Sequence, residues 1–352
     1  MRKLVLVLTS TVLLAACKTP EEVVTKVPTV VEEPPVNLAN VMGNWARVAS
    51  PTIEADRYMS ADGLTFSGSG GGLVFYAVDR NTNRAVQKIF YPGFDDWQPR
   101  FYERDLPREA PMRFDLFRAS FNTPANRSVA MVGGGYYKQP NGERFFLKTF
   151  YIENIDGYTW EPPYPGADVP ASSFGVSPYG YILENKANGK LWRFDTNAIR
   201  WEAVSNAPVA KDARFVAFDA GERAFVIAES SNWNDPLGSL YEFMPTKNEW
   251  QPRKPFPGDN RRRGLAFVHN NRLYYGAGQS APGQKPLRDL WSYDPATDNW
   301  QKVADYPGAG TISLVGVSIG GSVYIGFGQQ ALTNANKGET ITDVNDFWRL
   351  RP

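Results

Sequence analysis

One cysteine and one histidine stand in 352 residues, and each scarcity closes off a class of chemistry. With Cys17 alone, no internal disulfide can form, so stability rests on a packed core. With His269 alone, in the turn that follows Val268, a Ser-His-Asp triad or a His-rich zinc site lacks its material. Charge of neither sign dominates. The 38 Lys and Arg against 37 Asp and Glu leave a net +1, so no whole-chain field draws in nucleic acid or an anionic membrane. No phosphate loop and no dinucleotide-binding glycine motif occurs. The longest apolar run, Leu4–Leu14, is too short to cross a bilayer as a helix. The sequence therefore asks for no metal and no cofactor, and it offers no catalytic set.

What is present is a beat. Trp45, Trp97, Trp160, Trp201, Trp250 and Trp300 recur at gaps of 52, 63, 41, 49 and 50 residues. A period near 50 points to a repeat architecture. Ten residues before the Trp stands Phe150, Leu191, Leu240 or Leu290; nine before it, Tyr151, Trp192, Tyr241 or Trp291. Seven before it stands Phe194, Phe243 or Tyr293, with Glu153 the exception, and Pro165, Pro208, Pro257 or Pro307 follows. Each copy reads as apolar strand, polar turn, Trp-led strand and Pro-marked loop. A second hairpin lies upstream, as in Gly264–Gly276 and Ser313–Gly326, with Asn270-Asn271 and Gly320-Gly321 as two-residue turns that tolerate positive φ. Asp156-Gly157 reads as another such turn. Four antiparallel strands per period, without helical periodicity, make a β-propeller blade, and blades must stack to bury their faces.

The two ends of the chain complement each other. Asp346-Phe-Trp-Arg-Leu350 matches the first half of the Trp hairpin, and Gly43-Asn-Trp-Ala-Arg-Val48 supplies the missing half. An all-β, six-bladed propeller of four-stranded antiparallel blades is expected, its last blade closed by N- and C-terminal strands.

This repeat resembles the kelch motif, most closely over 261–350 and less so over 186–260. The paired glycines that the resemblance implies at the end of the second strand survive in Gly133-Gly134-Gly135 and become Gly276-Ala-Gly278 and Gly326-Phe-Gly328. The first copy departs furthest: Lys88 holds the place of an aromatic, and an insertion is expected around Arg100–Met112. Among kelch-like propellers, copper-radical oxidases of the galactose-oxidase type need two His and a Cys-linked Tyr, which His269 and Cys17 cannot provide.

Residues 1–16 read as a bacterial lipoprotein signal: Arg2-Lys3, the apolar run, then Leu14-Ala15-Ala16-Cys17. Cleavage before Cys17 leaves 36 basic against 37 acidic residues, net −1, and a Cys17 carrying palmitate-type acyl chains. Lys18 after the cysteine points by analogy to the outer membrane, with the membrane reached through the lipid anchor. Residues 17–38, rich in Val and Glu and broken by Pro20, Pro28, Pro34 and Pro35, form an extended tether of roughly 60 Å at ~3.1 Å per residue. Residues 39–352 form the propeller.

Ligand-binding candidates lie in loops outside the repeat frame. Arg261, Arg262 and Arg263 precede a predicted innermost strand. Trp233, with Asn232 and Asp235, is an aromatic in a polar loop. Tyr136, Tyr137, Arg288 and Asp289 occupy equivalent connections. Three functions fit: an envelope module that binds a protein or a glycan; a metal-independent carbohydrate-processing enzyme such as a sialic-acid mutarotase, which in bacteria is a six-bladed kelch protein; or a structural subunit of an envelope complex. The inventory favours binding over catalysis.

Overall fold

The computed structural model describes strands from Val41 onward; residues 1–40, the connections 49–57, 106–116, 209–212, 231–237 and 281–285, and several shorter ones lie outside the described residues. Burial is described for 45–48 and, with gaps, from Arg118 on. The signal, Cys17, the tether and the 231–237 loop that holds Asn232, Trp233 and Asp235 thus fall outside the description. No helix among the described residues is long and apolar enough to cross a membrane.

The architecture is an all-β propeller of antiparallel blades. Four sheets carry four strands each: sheet 2 (117–161), sheet 3 (170–206), sheet 4 (213–253) and sheet 5 (265–305). The expectation of four strands is corrected in two further sheets, which carry five, and two separate ribbons pair Tyr136–Lys138 with Arg144–Phe146 and Gln329–Asn334 with Gly338–Asp343. In sheet 1 (58–105), Gly72–Asp79 is longer than its neighbour Thr65–Ser69, and its uncovered end pairs with Tyr58–Met59. In sheet 6, Val315–Ile319 and Ser322–Gly326 are followed by Phe347–Leu350, then Trp45–Val48, then Val41–Met42. Trp45 pairs with Leu350 and Val48 with Phe347, so strands from the two halves of the split repeat lie side by side. First strands touch in series: Phe117–Asn122 on Pro170–Val176, that on Ala213–Asp219, then Leu265–His269, Val315–Ile319 and Thr65–Ser69.

Each core cluster lies between two successive sheets. Residues ten before the Trp face the following sheet: Leu191 packs with Ala224 and Val226, and Leu290 with Val323 and Ile325. Residues seven before it face the preceding sheet: Phe194 packs with Phe121 and Met131, and Tyr293 with Phe225 and Ile227. Three residues along a strand reverse the side-chain face, so the spacing itself makes each sheet two-faced. Second strands, buried on both sides, read as unbroken apolar runs such as Tyr181-Ile182-Leu183 and Val323-Tyr324-Ile325.

In sheets 3 and 5 the Trp clamps successive sheets through its nitrogen, which the buried indole nitrogens of Trp45 and Trp250 do not do. Trp201 Nε1 donates to Pro162 O at 2.8 Å and Trp300 Nε1 to Lys254 O at 2.9 Å, each carbonyl belonging to the chain that leaves the preceding sheet.

Local departures have local causes. Lys88 sits where the register shifts between Gln87 and Ile89, a bulge that absorbs the misplaced residue. Arg100–Asp105 continue the strand Trp97–Asp105, so only the later part of the expected insertion is left over, outside the described residues. Asn154 pairs with Gly157, so Gly157 belongs to a strand and not to the expected Asp156-Gly157 turn. Asn270 and Asn271 have φ of 48° and 59°, as their turn requires.

Candidate functional site

In an antiparallel sheet, the connection from the second to the third strand shares one end with the approach to the first. In sheets 5 and 6 these segments are stitched to one another. Arg262 and Gln279 exchange two backbone hydrogen bonds of 2.9 Å, Gly278 N donates to Thr311 O at 2.7 Å, and Thr311 N donates to Gln329 O at 3.0 Å. Ser313 N donates to Arg263 O at 3.3 Å. The loop ends of sheets 5 and 6 therefore form a backbone-bonded frame, and the Glu229 carboxylate joins sheet 4 to it.

Two carboxylates organise it, one buried and one half-buried. Glu229, 1% exposed at the end of Ala224–Ser230, accepts from Arg263 N (3.1 Å), Gly264 N (3.0 Å) and the Tyr275 hydroxyl (2.6 Å). Burial, and then the charge of Glu229, hold the Tyr275 phenol well above its ordinary pKa, so it stays a neutral donor. Asp289 receives the fork of Arg261, with Nη1 at 2.9 Å and Nη2 at 2.8 Å, and Trp291 Nε1 at 2.7 Å. Burial pushes the Asp289 carboxyl up, the Arg261 hydrogen bonds outweigh it, and the net shift is downward.

The residues singled out in the sequence divide here. Arg261 is 2% exposed; it also donates to Ala277 O and Asp259 O and lies 4.6 Å from the Phe256 ring centroid. Arg261 and Asp289 thus form an internal strut rather than an open ligand contact. Arg288 clamps the exit from its own sheet, donating to Tyr306 O and Gly308 O. Arg262 is half-buried, and Arg263 is exposed with φ 53°, its peptide held from both sides by Glu229 and Ser313. Tyr136 is 1% exposed beneath the Arg144 guanidinium, 4.6 Å from its ring centroid, in a ribbon that pairs Tyr136–Lys138 with Arg144–Phe146. The Tyr137 side chain lies outside the described residues, as do Asn232, Trp233 and Asp235.

Sequence reasoning missed Glu229 and Tyr275. The available signal was a Glu at the end of an apolar second strand, near the place where three other sheets carry Gly133, Gly276 and Gly326. The crevice beside them, lined by Glu229, Gly238, Phe256, Asn260, Arg261 and Tyr275, is too tight to admit even a water molecule. It is therefore no ready-made small-molecule site, which needs hundreds of cubic ångströms. Among the described residues, no group of three His, Cys, Asp or Glu is placed to hold a metal ion. The arrangement suits rigid display of side chains at the loop end.

No family model matches the chain, and no curated protein matches it. Among solved structures, it is similar to that of YjhT, with 14% sequence identity and a TM-score of 0.60 over 84% of this chain and 99% of that one. The likeness shows the fold, a β-propeller. Since 363 chains match, it carries no activity with it.

Proposed function

We propose that this chain is a bacterial envelope lipoprotein whose kelch-type propeller binds a protein or a glycan through the loop end of sheets 4, 5 and 6. In this reading the six sheets are six blades of one ring, shut by the pairing of Trp45–Val48 with Phe347–Leu350. Acylated Cys17 holds the ring at the outer membrane, and residues 18–38 are the tether.

The observation that supports binding is the bonded frame with Arg263 outermost. Glu229 and Ser313 fix the Arg263 peptide in a left-handed conformation, and the side chain stands exposed on that rigid base. Binding energy is lost less to ordering when a contact group is already held. A carbohydrate-processing reading would need proton-transfer groups other than Glu184, Glu229 and Glu242, whose carboxylates are engaged by Trp192, by Tyr275 and by Arg223 with Arg253.

The test is affinity purification of the tagged full chain from native membranes, beside Cys17→Ser and Arg263→Ala. One stoichiometric protein or glycan should co-purify, Arg263→Ala should lose it without unfolding, and Cys17→Ser should leave the membrane fraction. Normal capture by Arg263→Ala moves the site to another surface, and a pelleting Cys17→Ser refutes the anchor.

A further inference from the structure

The hairpin that joins the third and fourth strands recurs in sheets 3, 4 and 5, always with a left-handed residue two positions before the Trp. In sheets 4 and 5 that residue is Asn248 (φ 56°) or Asp298 (φ 50°), types that tolerate the conformation. In sheet 3 it is Ile199, φ 51°, a β-branched side chain for which the left-handed region is a true outlier.

Asp298 does structural work. Its Oδ1 accepts from Tyr293 Oη at 2.7 Å and from Lys254 N at 2.9 Å, tying sheet 5 to the exit of sheet 4. The Trp clamp marks Pro162 as the counterpart of Lys254, and proline has no N–H to donate. That explains why sheet 3 carries no Asp at position 199. It does not explain Ile, because Asn or Gly would still relieve the backbone. Nor does packing explain it: Ile199 is 57% exposed, one of two exposed large hydrophobic side chains among the described residues. The strain and the exposure coincide on one side chain.

The next residue sharpens the contrast. Arg200 is exposed; its backbone pairs with Asp195, but its guanidinium has no hydrogen-bond or ionic partner among the described residues. Sheets 4 and 5 carry Glu249 and Asn299 there. Asn197 and Ala198 complete an exposed tip, held in shape by Asp195 Oδ1, which accepts from their two peptide nitrogens at 2.8 and 3.0 Å.

We propose that the Ile199-Arg200 tip of sheet 3 is a docking contact for a protein partner that offers an apolar cleft with a carboxylate at its rim. A strained residue persists at an exposed tip where the surrounding structure imposes it and function uses it. An apolar anchor beside an unpaired Arg is the composition of interface hot spots. The carboxylate follows from the Arg200 charge, and bidentate geometry suits it. This tip lies at the end of sheet 3 opposite Glu184 and Lys190, so the surface is separate from the loop end discussed above and does not depend on that reading.

The experiment places a photo-crosslinking amino acid at 199, or at 248 as the matched control, in the full chain in its native membranes. Position 199 should yield one protein adduct that 248 does not, and Arg200→Glu should lower its yield at least tenfold. The crosslinked peptide, sequenced by mass spectrometry, should hold apolar residues next to an Asp or Glu. In parallel, Ile199→Asn should raise the thermal midpoint by about 2 °C by relieving the backbone. No adduct, adducts to lipid alone, the same adducts from 248, indifference to Arg200→Glu, or a lowered midpoint for Ile199→Asn would each overturn the proposal.

Discussion

Sheets 3 and 5 solve one problem in two ways. Both bury part of a Trp nine residues before the Trp-led strand, and its indole nitrogen must find an acceptor. In sheet 5 the acceptor is Asp289, two residues before Trp291 at the start of the third strand. Sheet 6 does the same with Asp346 and Trp348, at 3.2 Å. In sheet 3 the residue two before Trp192 is Lys190, and Glu184, at the end of the second strand, reaches across at 3.0 Å. The acid has moved to the other side of the loop. With it moves the turn: sheets 5 and 6 end their second strands in Gly276 and Gly326 followed by left-handed Ala277 and Phe327, whereas sheet 3 ends in Leu183-Glu184. The repeat thus preserves a satisfied indole, and the residue that satisfies it is free to change.

The comparison breaks hardest at Asp289. Asp289→Ala should cost about 3–5 kcal/mol in urea unfolding, since it strands the Arg261 guanidinium, 1% exposed. Because the folded carboxyl titrates below its ordinary 3.8, this contribution should be complete above that pH and fade as pH falls toward the folded value. Next comes the turn. A Cβ on Gly276 would stand 2.1 Å from Asp289 O and 2.8 Å from Leu290 Cα, so Gly276→Ala should cost about 2–3 kcal/mol by the same measurement. Glu184→Gln should cost only about 1 kcal/mol, since an amide oxygen still accepts from Trp192 and no guanidinium depends on it. Equal losses for Asp289→Ala and Glu184→Gln would show that the two acids do the same work after all.

The smallest effect belongs to His269. It is 3% exposed, with Nδ1 2.9 Å from Ser318 Oγ of the next sheet and Nε2 3.0 Å from Asn270 Nδ2. Burial lowers its pKa below 6.5, so the unfolded chain takes the proton first. Stability should be full above about pH 6.5 and decline below it until the folded imidazole also protonates. His269→Gln should flatten thermal midpoints measured from pH 7 to 5. The sequence pictured this imidazole as a solitary turn residue; it is a bridge between sheets 5 and 6.

How much was legible follows the periodicity. Leu191, Phe194, Leu290 and Tyr293 are core because their spacing repeats, and spacing is visible in a string. The pairing of Trp45 with Leu350 could be anticipated because half a motif stood at each end. The three arginines could not be sorted. Which of Arg261, Arg262 and Arg263 turns inward depends on the left-handed backbone at Arg263 and on Glu229, more than thirty residues earlier in the chain. Arg288 and Asp289 looked like loop chemistry for the same reason: their partners, Tyr306 O and Arg261, lie at the exit from and the entry to the same sheet and meet them only when its four strands pair.

The side-by-side placement of Trp45–Val48 and Phe347–Leu350 also sets an order of events. Bringing together strands some three hundred residues apart costs on the order of 5 kcal/mol in chain-closure entropy. Hairpins within sheets 2 to 5 close short loops and can form as soon as they emerge. Trp45, 4% exposed in the cluster between sheets 5 and 6, has only the two-residue strand Val41–Met42 beside it until the final residues arrive. Folding of this chain should therefore finish at its beginning, with the earliest strand the last to settle and an unsatisfied edge exposed throughout synthesis.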